Sequence, residues 1–176
     1  MRDYDLMTTA VEPPIAVVRA VTPDQLDLPT PCGDFTVRTL LEHMLGTAAY
    51  LASAVGAEAD SGSLEERYAA LTEAYSEPSA WEGEITMGEA PPMPAPMIGA
   101  MALAEVLLHG WDLAQATGRS VRWDPALISY LDEELTKTAE LGRKMGAYGP
   151  RIAVAADAPP LDRVLGLTGR DPRWTA

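Results

Sequence analysis

Residues 97–117 read MIGAMALAEVLLHGWDLAQAT, and this stretch decides the fold because it is apolar on more than one side. That pattern predicts a helix buried inside a helical protein rather than one lying on its surface. Three of its polar residues, Glu105, His109 and Asp112, are separated by four and then three positions, so they share one face of the helix. A buried carboxylate without a partner is costly. These groups therefore either satisfy one another or surround a cation.

Composition limits the fold class and the kinds of partner that such a site can have. The chain has 176 residues, 47% of them hydrophobic, so it can bury a full-sized core as one domain over residues 1–176. Its 26 acidic and 13 basic side chains give a net charge of -13, which opposes sequence-independent binding to nucleic acid or anionic membrane. A single cysteine allows no internal disulfide, and neither a signal pattern nor a long uninterrupted apolar run is present. We expect a soluble, cytoplasmic monomer or homodimer that acts on a small molecule.

The rest of the sequence predicts further helices around this one. Together the predicted helices cover residues 3–21, 36–55, 63–76, 97–117 and 125–144, with a shorter one within 158–169. Pro13 and Pro14 predict a kink or restart in the first helix, and Ser63 with Glu66 forms a capping-box pattern at the third. Residues 81–96, rich in glycine and proline, predict a long crossover with at most a short extended piece. The predicted fold is all-α: a four-helix bundle with a long crossover and additional C-terminal helices.

The protein contains only two histidines, and both are predicted to face the bundle core. His43 lies in LLEHMLG, on the apolar face of the second helix. Bundle metal sites use side chains from facing helices, and a Glu and a His one turn apart present two ligands together. His43, Glu105 and His109 form a two-histidine, one-carboxylate set of the kind found in open zinc and non-haem iron(II) sites. By spacing alone, core histidines satisfied by the backbone or by Glu105 are an equally good interpretation.

Three motifs, in chain order, resemble a known family. They are PTPCGDFTVRTLLEHMLG at 29–46, EVLLHGWDLAQATG at 105–118 and APPLDRVLGLTGRDPRW at 158–174. They are similar to the DinB/YfiT-like metal-binding four-helix bundles, specifically the actinobacterial branch related to mycothiol-dependent maleylpyruvate isomerase. The resemblance implies a divalent metal, with Zn²⁺ first and Ni²⁺ or Fe²⁺ as alternatives. By the same resemblance its ligands are His43, Glu105 and His109.

The resemblance also implies a reaction. Relatives in this branch use low-molecular-weight thiols, so mycothiol is the expected co-substrate and a metal-bound thiolate the expected nucleophile. The leading function is a thiol S-transferase or thiol-dependent isomerase. The isomerase that names the family carries an additional C-terminal domain, whereas this sequence ends at Ala176, which argues against maleylpyruvate isomerisation itself. Two alternatives stay open: metal binding without turnover, and metal-activated hydrolysis with Asp112 as a catalytic residue that assists proton transfer.

Residues near the motifs have expected roles of their own. Asp112 is predicted to orient a histidine ring or to pair with Arg38 or Arg119. Cys32 is predicted to be a small buried hydrophobic side chain rather than a nucleophile or ligand. Phe35 stands where the branch commonly has tryptophan, and it is expected not to touch the ligands.

An open metal site predicts a cavity, because a thiol and an electrophile must both reach the ion. We expect a three-ligand site at the inner end of a cavity bordered by the second and fourth helices and by the 81–96 crossover. Trp81 and Trp111 are candidates for lining it, with core packing as the alternative. An adaptable apolar wall is suggested by Met87, Met93, Met97 and Met101.

Overall fold

The computed structural model describes residues 5–59 and 61–175, and that part of the chain is mostly helical. The helices are α1 Leu6–Arg19, α2 Val37–Ala54, α3 Leu64–Ser76, α4 Ala95–Ala116, α5 Pro125–Lys144 and α6 Pro160–Leu167. Two short strands, β1 Glu84–Ile85 and β2 Met93–Pro94, pair antiparallel as a small ribbon. The predicted all-α class is confirmed.

The first four helices pack as a ring in which each contacts two others. α1 contacts α3 and α4, and α2 contacts the same two helices. α5 packs on α4, and α6 packs on α5. The connection from α3 to α4 is the predicted long crossover, which holds a 3-10 turn at Pro78–Trp81 and then the ribbon. The two histidine-bearing helices, α2 and α4, are therefore neighbours.

Helix α4 lies at the centre of the core. Its leucines Leu103, Leu107 and Leu113 are completely buried. Within the described residues it is the one helix long and apolar enough to cross a membrane, and 83% of its apolar stretch is buried inside the protein. The core thus accounts for its apolar character. Gly110 permits a close approach of α1, since a Cβ there would lie 2.9 Å from the Cβ of Pro14.

Helix α1 continues through its two prolines, so the predicted restart is wrong, while the alternative of a kink stays a prediction. Its predicted start at residue 3 lies outside the described residues. Pro14 has no backbone N–H, which leaves the carbonyl of Ala10 without its helical donor. The indole Nε1 of Trp123 donates to that oxygen at 3.1 Å. A bond from another part of the chain therefore replaces the one that the helix lacks.

The capping box predicted at Ser63 is confirmed, and the helix before it is capped as well. Thr36 caps α2 by accepting from the amide of Thr39, and Ser63 caps α3 by accepting from the amide of Glu66. Because the cap fixes where α2 begins, it also fixes which of its residues face α4.

Candidate metal centre

His43, Glu105 and His109 meet where α2 faces α4. Nε2 of His43 lies 2.9 Å from Oε1 of Glu105 and 3.1 Å from Nε2 of His109. The third distance, from Nε2 of His109 to Oε1 of Glu105, is 3.2 Å. The two imidazole rings are nearly perpendicular, at 82°, with centroids 4.7 Å apart. The structure thus brings together the three side chains predicted as ligands.

The spacing of the three donor atoms suits a divalent cation. Ligands about 2.1 Å from one ion are about 3.0 Å apart when roughly at right angles, as in six-coordinate sites, and about 3.4 Å apart in a tetrahedral site. The observed separations of 2.9, 3.1 and 3.2 Å are close to the right-angle value and slightly below the tetrahedral one. Two imidazole nitrogens and a carboxylate oxygen are also donors that zinc and iron(II) accept. The residues therefore fit a metal in both spacing and chemistry.

Charge interactions within the cluster compete with burial. Burial disfavours the charged forms of both Glu105 and His109. The negative charge of Glu105 and the positive charge of a protonated His109 stabilise each other. Against that burial, Glu105 and then Asp112 raise the pKa of His109 well above its usual range. Likewise, despite burial, His109 and His43 lower the pKa of Glu105 well below its usual range. A proton on His109 and a divalent cation therefore compete for the same donor atoms.

His109 is fixed on its far side by buried charges. Its Nδ1 lies 3.0 Å from Oδ2 of Asp112, one turn further along α4. Asp112 is fully buried, and its carboxylate accepts from Nε and Nη2 of Arg170 at 2.7 to 3.1 Å. With Nδ1–H donated to Asp112, the lone pair of Nε2 is directed toward the cluster. Asp112 thus favours the tautomer that a metal ligand requires.

Arg170 is a site residue that the sequence interpretation missed. Arg38 and Arg119, the partners considered for Asp112, bond to side chains outside the site instead. Arg170 follows α6, 58 residues from Asp112, and is only 7% exposed. A buried aspartate requires a cation as its partner. That requirement is the one sequence signal that pointed to an arginine beside Asp112. Nothing in the sequence spacing selects Arg170 over the other arginines.

His43 contacts an aromatic ring in addition to Glu105. The ring of Phe35 meets the ring of His43 edge to face, with centroids 5.3 Å apart. The expectation that Phe35 does not touch the ligands is therefore wrong. The His43 side chain is 34% exposed, against 7% for His109. The cluster thus opens on the His43 side.

The open side faces a cavity of about 730 Å³. All three predicted ligands line it, together with the loop 31–35, the segment 146–150 and residues 168–170. The predicted wall from the 81–96 crossover is wrong. Trp81 packs instead against Gly99, where a Cβ would lie 2.3 Å from the ring, and so holds the crossover at the first turns of α4. Core packing, the alternative for the tryptophans, is the one observed: Trp81 and Trp111 are both buried, and the four methionines lie outside the cavity lining.

Two glycines bring the segment 146–150 against the site. Gly169 has a φ of 86°, and a Cβ there would lie 2.7 Å from Cα of Gly149. The two backbones therefore touch in a way that a larger residue would prevent. This contact places Tyr148 and Arg170 in the wall of the same cavity.

Cys32 lies at the site and not in the core, so its predicted role as a buried hydrophobic side chain is wrong. It is partly exposed in the cavity wall, and its Sγ is 3.9 Å from Nη2 of Arg170. With His109 and Asp112 it forms a second group whose donor atoms lie within 4.8 Å of one another. Within residues 5–59 and 61–175, this group and the His43 group are the two that could hold an ion, and both include His109.

Comparison with known proteins supports the family resemblance. Residues 10–71 match the family model described as the mycothiol maleylpyruvate isomerase N-terminal domain. The uncharacterized proteins MT0763 and Rv0738, from two strains of Mycobacterium tuberculosis, are each 28% identical over 172 residues, covering 90% of this chain and 92% of theirs. No solved structure matches. The resemblance to the mycothiol maleylpyruvate isomerase family is thereby confirmed over residues 10–71.

Proposed function

We propose that this chain, whose residues 10–71 match the mycothiol maleylpyruvate isomerase N-terminal domain family, is a divalent-metal-dependent enzyme that joins a low-molecular-weight thiol to an electrophile. His43, Glu105 and His109 are the proposed ligands, with Zn²⁺ as the first candidate and Ni²⁺ or Fe²⁺ as alternatives. The observation that carries the proposal is the triangle of donor atoms, 2.9 to 3.2 Å on a side, in the wall of an open cavity. A bound divalent cation with an exchangeable position supplies a nucleophile at neutral pH, because it lowers the pKa of water and holds a thiol as thiolate.

The other residues of the site orient the proposed ligands and leave them accessible to substrates. Asp112 orients His109 and Arg170 orients Asp112, so the inner ligand is fixed before anything binds. Asp112 is therefore proposed as a positioning residue. Its earlier assignment as a catalytic proton carrier stays a prediction, and both of its oxygens are already engaged. His43 and Glu105 face the cavity through which thiol and electrophile approach.

Mycothiol is the proposed thiol, because the matched family is named for it. Transfer to an electrophile and thiol-dependent isomerisation both begin with the same attack by sulfur, so the site serves either. The net charge of -13 favours small molecules over nucleic acid or anionic membranes as partners. A cytoplasmic location, a single domain and a monomeric or homodimeric state stay predictions.

Metal binding without turnover is the second candidate, and the position of Cys32 favours it. The Cys32 sulfur lies within 4.8 Å of donor atoms of His109 and Asp112. In the structure this sulfur groups with Asp112 and not with His43 and Glu105, so Cys32 would have to turn toward the ion. Its thiolate, added to two imidazoles and a carboxylate, would then complete a tetrahedron and remove the exchangeable position. The ion would then be structural, and thiol transfer would lose its mechanism.

Cobalt substitution separates the two candidates. In the thiol-transfer account, adding thiol to the Co²⁺-loaded protein produces a sulfur-to-metal charge-transfer band, in the wild type and in Cys32→Ser alike. A band that precedes thiol addition and is abolished in Cys32→Ser supports the structural ion instead. Absence of a band at saturating thiol in both proteins contradicts thiol transfer. Conjugation of mycothiol to N-ethylmaleimide, with and without chelator, then measures turnover.

A further inference from the structure

Tyr148 lines the same cavity as the proposed ligands but takes no part in holding them. It lies on the segment between α5 and α6. Its ring covers Gly142 near the end of α5, where a Cβ would lie 2.4 Å from Cδ2 and Cε2 of the ring. The absence of a side chain at Gly142 lets the ring lie directly on the helix. Tyr148 is therefore anchored by its ring.

The hydroxyl of Tyr148 has no hydrogen-bond partner within the described part of the chain. In the described part of the chain, every fully buried side-chain nitrogen and oxygen has a hydrogen-bond partner. Tyr148 Oη makes no hydrogen bond to any described residue, so it is not fully buried. Tyr148 also lines the cavity, which is the open space next to it. Tyr75 shows the contrasting case, because its hydroxyl donates to the carbonyl of Leu51 at 3.3 Å. The donor of Tyr148 is thus available to a molecule in the cavity.

The surroundings keep that hydroxyl protonated. Burial raises the pKa of Tyr148 to about 12, with Glu105 adding to the rise and Arg170 opposing it. Both charged groups line the same cavity. At neutral pH Tyr148 is therefore a hydrogen-bond donor and not a base.

We propose that Tyr148 donates a hydrogen bond to the oxygen of the electrophile and so acts as a catalytic residue of thiol transfer. This inference rests on the proposed function. The thiol first loses its proton to water and reacts as thiolate. When its sulfur bonds to the β-carbon of a carbon–carbon double bond conjugated with a carbonyl, the electron pair of that double bond shifts to give an enolate with its charge on the carbonyl oxygen, and water then returns one proton to the α-carbon. A fixed donor stabilises the charge that develops on that oxygen. The Tyr148 hydroxyl supplies such a donor from outside the metal cluster.

Tyr148→Phe tests the proposal because it removes only the hydroxyl. With mycothiol and N-ethylmaleimide we expect kcat to fall by about 10²-fold, while the KM for thiol and the affinity for zinc stay unchanged. The matched control is Tyr50→Phe, since Tyr50 is 50% exposed on α2 and lies outside the cavity lining. It should behave as the wild type. Circular dichroism confirms that both variants are folded.

A binding measurement tests the same hydrogen bond without turnover. N-ethylsuccinimide is the saturated, unreactive analogue of N-ethylmaleimide and keeps both carbonyls. Its affinity should fall about 3- to 10-fold in Tyr148→Phe, the loss expected for one hydrogen bond, and stay unchanged in Tyr50→Phe. Equal affinities in wild type and Tyr148→Phe, no saturable binding to the wild type, or an unchanged kcat would overturn the proposal. A wild type that binds this analogue through Tyr148 but conjugates no thiol would sink the proposed function while the binding role of Tyr148 stands.

Discussion

The two histidines of the site both contact Glu105 but differ in what else holds them. His109, 7% exposed, rests on Asp112 and Arg170, a fully buried carboxylate and its guanidinium. His43, 34% exposed, has no such buried pair behind it among the described residues and packs edge to face with the ring of Phe35. Breaking a buried ion pair leaves an uncompensated charge, whereas losing an aromatic contact costs far less. The inner half of the site should therefore determine whether an ion binds, and the outer half how ligands reach it.

The largest effect is expected from removing the inner ligand. His109→Ala should weaken zinc binding by more than about 100-fold. Loss of a residue that only orients a ligand costs about 10- to 100-fold, and loss of the ligand itself should cost more. Most of the helical signal in circular dichroism should remain, because the bundle has an apolar core of its own. Competition with a chromophoric chelator measures the affinity. Global unfolding of this variant, or of the wild type on chelation, would favour a structural metal.

Arg170→Met tests the buried charge by itself. It leaves Asp112 fully buried with His109 as its remaining partner, so the free energy of unfolding should fall by about 3 to 5 kcal/mol in urea titrations. The control is Arg19→Met, which breaks the exposed ion pair with Glu65. That pair is screened by solvent, and its loss should change stability little. Equal effects of the two substitutions would contradict the importance given to Arg170.

Asp112→Asn keeps the shape of the side chain but removes its charge. The amide can offer Nδ1 of His109 a donor instead of an acceptor, which favours the wrong tautomer. We expect zinc affinity to fall about 10- to 100-fold, measured by the same chelator competition. Wild-type affinity would show that Asp112 does not position the ring.

The smallest effect is expected on the outer half. Phe35→Leu removes the edge contact with His43 and should weaken zinc binding by less than about 10-fold, since such ring pairs contribute about 0.5 to 1.5 kcal/mol. Phe35→Trp, which keeps an aromatic ring, should remain close to wild type. If Phe35→Leu costs as much as Asp112→Asn in the chelator assay, the contrast between the two halves is wrong.

The helices and the three clustered residues were predictable because their signals are local. Helical spacing places Glu105 and His109 on one face of α4, and the apolar face of α2 carries His43. Neighbours in a bundle then bring those faces together. The continuity of α1 was not predictable, because the donor that replaces its missing bond comes from Trp123, far along the chain.

The wall of the cavity was not predictable for a related reason. Cys32, Tyr148 and Arg170 lie on connections between helices, whose paths depend on tertiary contacts rather than on periodicity. The contact between Gly149 and Gly169 decides which segment closes the cavity. Both glycines are visible in the sequence, but nothing local indicates that they meet.

X-ray absorption at the zinc edge tests the central claim most directly, namely that His43, Glu105 and His109 hold an ion with an exchangeable position. Without thiol, the zinc-loaded protein should show nitrogen and oxygen neighbours alone, at about 2.0 to 2.2 Å. Adding mycothiol should introduce one sulfur neighbour at about 2.3 Å. A sulfur neighbour before thiol is added, which Cys32 would supply, or an unchanged spectrum at saturating thiol, would contradict the account.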